Sequence, residues 1–82
     1  MKGSIIYEKD NTTLYVGLPE DIDHFISEDI KAETDAYLES GCIRCIVFDF
    51  SRTVFMDSSG IGALMGRYKR MKEKGGKVMI CG

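Results

Sequence analysis

Asp57-Ser58-Ser59-Gly60 places two adjacent hydroxyls directly behind a carboxylate, a grouping suited to accepting or recognising a charged group. The segment lies between an apolar run and a stretch with helical spacing, so it reads as a strand-to-helix turn. The first N–H groups of a helix have no intrahelical partner and favour negative charge. One serine can cap the helix while the other points to solvent, and spacing alone leaves the two roles open. Asp57 either positions an acceptor hydroxyl or merely complements the helix dipole. Gly60 and Gly62 leave the first turn nearly bare, so another backbone or a phosphate can come close.

Other chemistries fit less well. His24 is the only histidine, and a Ser-His-Asp hydrolase would use it with Ser58. The nucleophile elbow G-x-S-x-G is absent, because Met56 stands where that motif needs glycine. Gly60, Gly62 and Gly66 are spaced one residue too long for a dinucleotide loop, and beyond Glu73 no acid is left to hold a ribose. Cys42-x-x-Cys45 lacks two further zinc ligands and leads into a strand, whereas a thioredoxin pair opens a helix. Cys45 and Cys81 are expected to be small core residues. No cofactor of the chain's own is expected.

The elements that must position this turn can be read from the periodicity. Residues 4–9 and 13–18 are β-rich and separated by Asp10-Asn11-Thr12, which predicts a hairpin, with Pro19 ending its second strand. From His24 to Ser40, Ile26, Ile30, Ala36, Tyr37 and Leu38 mark one side of a helix. Asp23 is its expected N-cap, and Gly41 is expected to stop it in the left-handed conformation. Residues 44–50, RCIVFDF, suit a strand covered on both faces. Residues 58–73 are helical, with Ile61, Leu64, Met65, Tyr68 and Met71 drawn as one apolar stripe and Gly75-Gly76 as the stop. Residues 77–81 make a last strand. The aromatics Phe48, Phe50, Phe55 and Tyr68 are assigned to the core. The order β-β-α-β-α-β predicts an α/β fold, a mixed sheet with helices packed on it, in one domain over residues 1–82.

The segment from Ile43 to Gly82 resembles the signature of the STAS domain, specifically of bacterial anti-sigma-factor antagonists. Asp57, Ser58, Ser59, Gly60, Gly62, Gly66, Arg67, Tyr68, Gly75 and Gly76 stand in that pattern, and Asp23-His24 resembles the family's acidic residue and its neighbour before the first helix. The resemblance implies a non-enzymatic binding protein that engages an anti-sigma factor and frees the sigma factor. It further implies that the partner is also a serine kinase, that phosphorylation of Ser58 ends binding, and that a serine phosphatase restores it. ATP and magnesium would belong to the kinase. The implied docking surface takes in Asp23, Asp57, Ser58, Ser59, Gly60 and Gly62, with Met65, Gly66 and Lys69 further along the helix. STAS modules also serve as scaffolds in stress-signalling and lipid-transport complexes, which is the alternative role. Family members usually continue with another helix and strand, so strand 77–81 is expected to expose apolar surface and favour a homodimer.

Composition sets the outer bounds. At 44% hydrophobic and 29% charged, the chain is an ordinary globular one. No apolar run nears the roughly 18 residues of a membrane span, and the start shows no apolar leader, so a cytoplasmic protein is expected. The net charge of -2 divides into ten acids and three bases over residues 1–41 and eight bases and three acids over residues 42–82. Six bases fall between Arg67 and Lys77. The acidic total and the lack of interleaved aromatics argue against nucleic acid; a helix C-terminus favours such cations on its own.

Overall fold

The computed structural model describes residues 4–82. Residues 1–3, part of the start read above for a leader, lie outside them. Strands β1 (Ile6–Asp10) and β2 (Thr13–Gly17) form the expected hairpin, with Asn11 in the left-handed region at its tip. Two short strands follow the hairpin and the next long strand: β3 (Asp21–Ile22) precedes helix α1 (His24–Ser40), and after β4 (Cys45–Asp49) comes β5 (Phe55–Met56). Helix α2 (Ser58–Glu73) and strand β6 (Lys77–Cys81) complete the chain.

Four strands make one sheet in the order β1-β2-β4-β6, antiparallel at β1–β2 and parallel thereafter. The crossovers β2-α1-β4 and β4-α2-β6 advance in the same direction across the sheet. The right-handed rule therefore puts both helices on one face. Leu14, Val16, Ile46 and Phe48 point to that face and form the core with Ile22, Ile30, Leu38 and Met71. Among the described residues no helix covers the other face, and Tyr15 and Val47 are only half-buried there. The apolar run 44–50 is thus the centre of a sheet covered on one face, not on both. Its continuity came from Cys45 and Val47, which face away from the helices.

Several inward positions differ from expectation for identifiable reasons. In α1, Ser27 and Thr34 are buried while Ala36 is exposed. The two hydroxyls donate back to the carbonyls of Asp23 and Ile30, so they enter the core already satisfied. Gly41 is extended at φ -143 and ψ 178, not left-handed, because the chain leaves α1 directly toward β4. Gly75 does adopt a positive φ of 79 after α2. Cys81 is exposed because β6 is an edge strand, whereas Cys45 is buried on the central β4.

The stripe expected on α2 divides. Met71 and Ala63 are buried and Leu64 half-buried, but Ile61, Met65 and Tyr68 are exposed. A helix advancing about 100° per residue puts these two groups on different flanks. Arg67 and Arg70 lie on the flank against α1, where both guanidiniums donate to the Asp35 carboxylate; Arg67 also donates to the Lys31 carbonyl at 3.0 Å. These two bases therefore serve the helix–helix seam, and only Arg70 and Lys72 fall in the last turn of α2.

On the open sheet face, the Tyr15 hydroxyl donates to Asp49 at 2.5 Å and the Ser51 amide donates to the same carboxylate at 2.9 Å. The tyrosine bond first, then the amide, holds the Asp49 carboxyl below the usual carboxylate range. A depressed folded-state value means that the unfolded chain binds the proton more readily. This contribution is complete above the ordinary carboxylate range and fades as pH falls through the lowered value. Tyr15→Phe should therefore destabilise the protein at pH 7 and lose most of that effect in strong acid. Urea midpoints of the two proteins across that span check it, and an equal gap at both ends would refute the coupling.

Candidate functional site

The two helices begin side by side because of the short strands in front of them. β3 and β5 pair in parallel with Ile22 opposite Met56, and the Asp57 amide donates to the Ile22 carbonyl at 3.1 Å. One residue further along each strand stand Asp23 and Asp57, the N-caps of α1 and α2. Two aspartates and two helix N-termini are thereby brought to one end of the domain. These two-residue strands escaped sequence reasoning, since D-I and F-M carry no alternation to detect.

Both caps follow the same chemistry. Asp23 Oδ1 accepts from the Ile26 amide at 2.9 Å. Asp57 Oδ1 accepts from the amides of Ser59 at 2.9 Å and Gly60 at 3.2 Å. Asp57 is the cap of α2, so neither serine is needed for that duty. Ser58 is the first helical residue and is exposed; Ser59, the second, is half-buried.

Gly60 sits beneath the helix start and is buried. A Cβ there would come within 2.9 Å of both Ile22 Cγ2 and Met56 Sδ, so the absence of a side chain lets α2 settle onto the β3–β5 pair. Gly62 and Gly66 are different, since a Cβ at either meets nothing within 4 Å. With exposed Lys69 they follow Ser58 along the outward side of α2. Met65 is exposed beside them, toward the flank remote from α1.

The site has an apolar border that sequence reasoning passed over. Phe25 is 75% exposed at the start of α1, Val54 is 78% exposed, and Phe55 is exposed on β5. Phe55 thus leaves the core expected of it, as does Tyr68. A large apolar side chain within two residues of an N-cap was the available signal for Phe25. The arrangement suits contact with another protein: an apolar collar, a bare helix turn and an exposed serine directly after the capping aspartate of α2. It does not resemble a hydrolase. Among the described residues no hydrogen bond joins His24 to either serine, and the imidazole stands edge-on to Phe25 with ring centres 5.8 Å apart. No group of three or more His, Cys, Asp or Glu among them could hold a metal ion. None of their helices is long and apolar enough to cross a membrane.

A family model described as STAS domain matches residues 4–82. The chain belongs to the STAS-domain family. An anti-sigma F factor antagonist from Paenibacillus polymyxa is 33% identical over 81 residues, covering 99% of this STAS chain and 69% of the relative. A protein of the same name from Lysinibacillus sphaericus is 29% identical over 83% of this chain, which spans 58% of that relative's length. The solved structure of the anti-sigma factor antagonist SpoIIAA in its unphosphorylated form matches with a TM-score of 0.86 at 28% identity, covering 94% of this chain and 71% of that one. The phosphorylated form of Bacillus SpoIIAA matches with a TM-score of 0.82 at 29% identity, over 92% of this chain and 68% of that one. The mixed sheet and two helices described above are the STAS fold.

Proposed function

We propose that this STAS domain is an anti-sigma factor antagonist whose docking surface is the shared start of α1 and α2, switched off by phosphorylation of Ser58. The single observation that carries the reading is the placement of Ser58: exposed, at the first position of α2, with capping already assigned to Asp57. Two relatives named as anti-sigma F factor antagonists, and a structural neighbour known in phosphorylated and unphosphorylated forms, support it.

The residues have separate roles. Ser58 Oγ is the acceptor. Asp57 and Asp23 cap the two helix starts at the same end of the domain, with Asp57 directly before the acceptor. Gly62 and Gly66 let the partner's backbone approach α2, while Phe25, Val54 and Phe55 supply apolar contact. Lys69 adds one cation on the outward side of the helix. The nucleotide and its metal are brought by the kinase.

The direct test is incubation with an anti-sigma serine kinase and ATP, followed by mapping of the phosphosite by mass spectrometry. Modification at Ser58, abolished in Ser58→Ala, is the expected result. Modification elsewhere, or none with any candidate kinase, would remove the switch.

Gly62 offers a second test in which stability and binding move oppositely. Ala is favoured over Gly inside a helix by about 1 kcal/mol, and a Cβ here meets no neighbour. Gly62→Ala should raise the melting temperature by a few degrees while weakening partner binding. Calorimetry on the free protein and titration with the anti-sigma factor read the two effects separately. Unchanged affinity would take this turn out of the docking surface.

A further inference from the structure

The ends of α1 and α2 lie together, at the opposite end of the domain from Ser58. Leaving α1, the chain runs through Gly41, Cys42, Ile43 and Arg44 into β4; leaving α2, it turns through Lys74 and Gly76 into β6. The two turns meet, because the Lys77 amide donates to the Arg44 carbonyl at 3.0 Å. Gly76 permits the approach, since a Cβ there would come within 2.7 Å of the same carbonyl. Between the turns lies a cleft of about 270 Å³ lined by Gly41, Cys42, Ile43, Arg44, Lys74 and Gly76. Both walls are internal turns and β6 leads away from them, so the cleft owes nothing to the edge of the sheet.

This cleft is rich in donors that nothing uses. Among the described residues, no hydrogen bond engages the Cys42 or the Ile43 amide, although Ile43 is only 3% exposed. The Arg44 guanidinium has no hydrogen-bonding or ionic partner among them either, and their ion pairs lie elsewhere, at Lys31–Glu28 and on Asp35. The Lys74 ammonium gives one of its three hydrogens to the Leu38 carbonyl, at 3.4 Å. Beside the cleft runs the stem of Lys9, whose Cε lies 3.5 Å from where a Gly41 Cβ would stand. The carbonyl ends of the two helices draw cations here, but leave most of their hydrogens free.

We propose that this cleft binds a phosphate group, free or carried on a small metabolite. Two successive amides form a concavity suited to an anion. The guanidinium fork matches phosphate oxygens, and the ammonium adds a point charge. The volume falls just below the ordinary range of small-molecule pockets, which fits a phosphate with a short carbon frame. No acid stands among the lining residues to compete for the donors. The bound group links the exits of α1 and α2, as the β3–β5 pair links their starts. The inference does not depend on the switch, because no residue of the cleft belongs to the Ser58 end.

NMR titration of the chain with inorganic phosphate and with glycerol phosphate, against sodium chloride at equal ionic strength, tests the site. Saturable shifts of the Cys42 and Ile43 amides, with Kd near or below about 1 mM, are expected with the phosphates and not with chloride. Tighter binding of the ester assigns the cleft to a phosphorylated metabolite; equal or weaker binding assigns it to the free ion. Arg44→Gln and Lys74→Gln should each weaken binding at least about tenfold. Both side chains are exposed, so the circular dichroism should not change. The same spectra report on the anion-favouring helix starts. Shifts confined to Ser58, Ser59 and Gly60, or shifts that grow without saturating, overturn the proposal. Binding that survives both substitutions overturns the donor set.

Discussion

On the proposed function, Ser58→Asp should weaken binding to the anti-sigma factor roughly 150- to 900-fold while leaving the far-ultraviolet circular dichroism unchanged. The factor corresponds to about 3–4 kcal/mol, the usual scale for leaving a charge unpaired in a buried interface. Phosphorylation, which adds about -1.5 to -2 charge, acts in the same direction. The scaffold tolerates the charge because Ser58 is the first residue of α2, where the positive end of the helix dipole favours an anion. The docked partner does not, since it must cover that charge together with those of Asp57 and Asp23. Titration calorimetry on wild type, Ser58→Ala and Ser58→Asp separates charge from loss of the hydroxyl: only the aspartate carries the large penalty. A variant that unfolds would show instead that the helix terminus cannot accommodate the anion.

Gly60→Val carries the largest expected cost to the fold itself. The new side chain is driven against Ile22 and Met56, and the β3–β5 pair must move away from α2 to admit it. Overpacking of this kind costs about 1–3 kcal/mol, and the added methyls place valine at the upper end. In a domain this size that lowers Tm by roughly 10–20 °C. Partner binding should also fall at temperatures where the variant is still folded, because the same displacement separates Asp23 from Asp57. Gly62→Ala, two residues away, is the control that moves stability the other way. A Gly60→Val protein melting with wild type would show that the short strands do not brace the site.

The long elements were legible because hairpin turn, apolar run and helical spacing each repeat over several residues. The D-S-S-G pattern pointed to an exposed serine at a helix start, which Ser58 is, and Asp23 was legible as the cap of α1 through its place before that helix. What decided the capping was less visible: Asp57 and the serines are all good caps, and only the hydrogen bonds from Asp57 to Ser59 and Gly60 assign the duty. Periodicity also misled where polar and apolar types exchanged places. Thr34 is buried because its hydroxyl bonds within its own helix, while Ile61, Met65 and Tyr68 face outward at a spacing no different from that of a core stripe. Lastly, Ile22 and Met56 find each other through a contact between distant parts of the chain, and local pattern holds no record of such a meeting.

The tether between β3 and β5 has a kinetic corollary for the proposed switch. Both helix starts are fixed to one another, so an enzyme that modifies the hydroxyl and a regulator that grips the collar would find the same ready-made landing area. Neither would have to wait for a segment to open. Turnover of the signal would then be governed by occupancy, with each visitor excluding the next for as long as it stays, and cellular abundance of the visitors would set the response time.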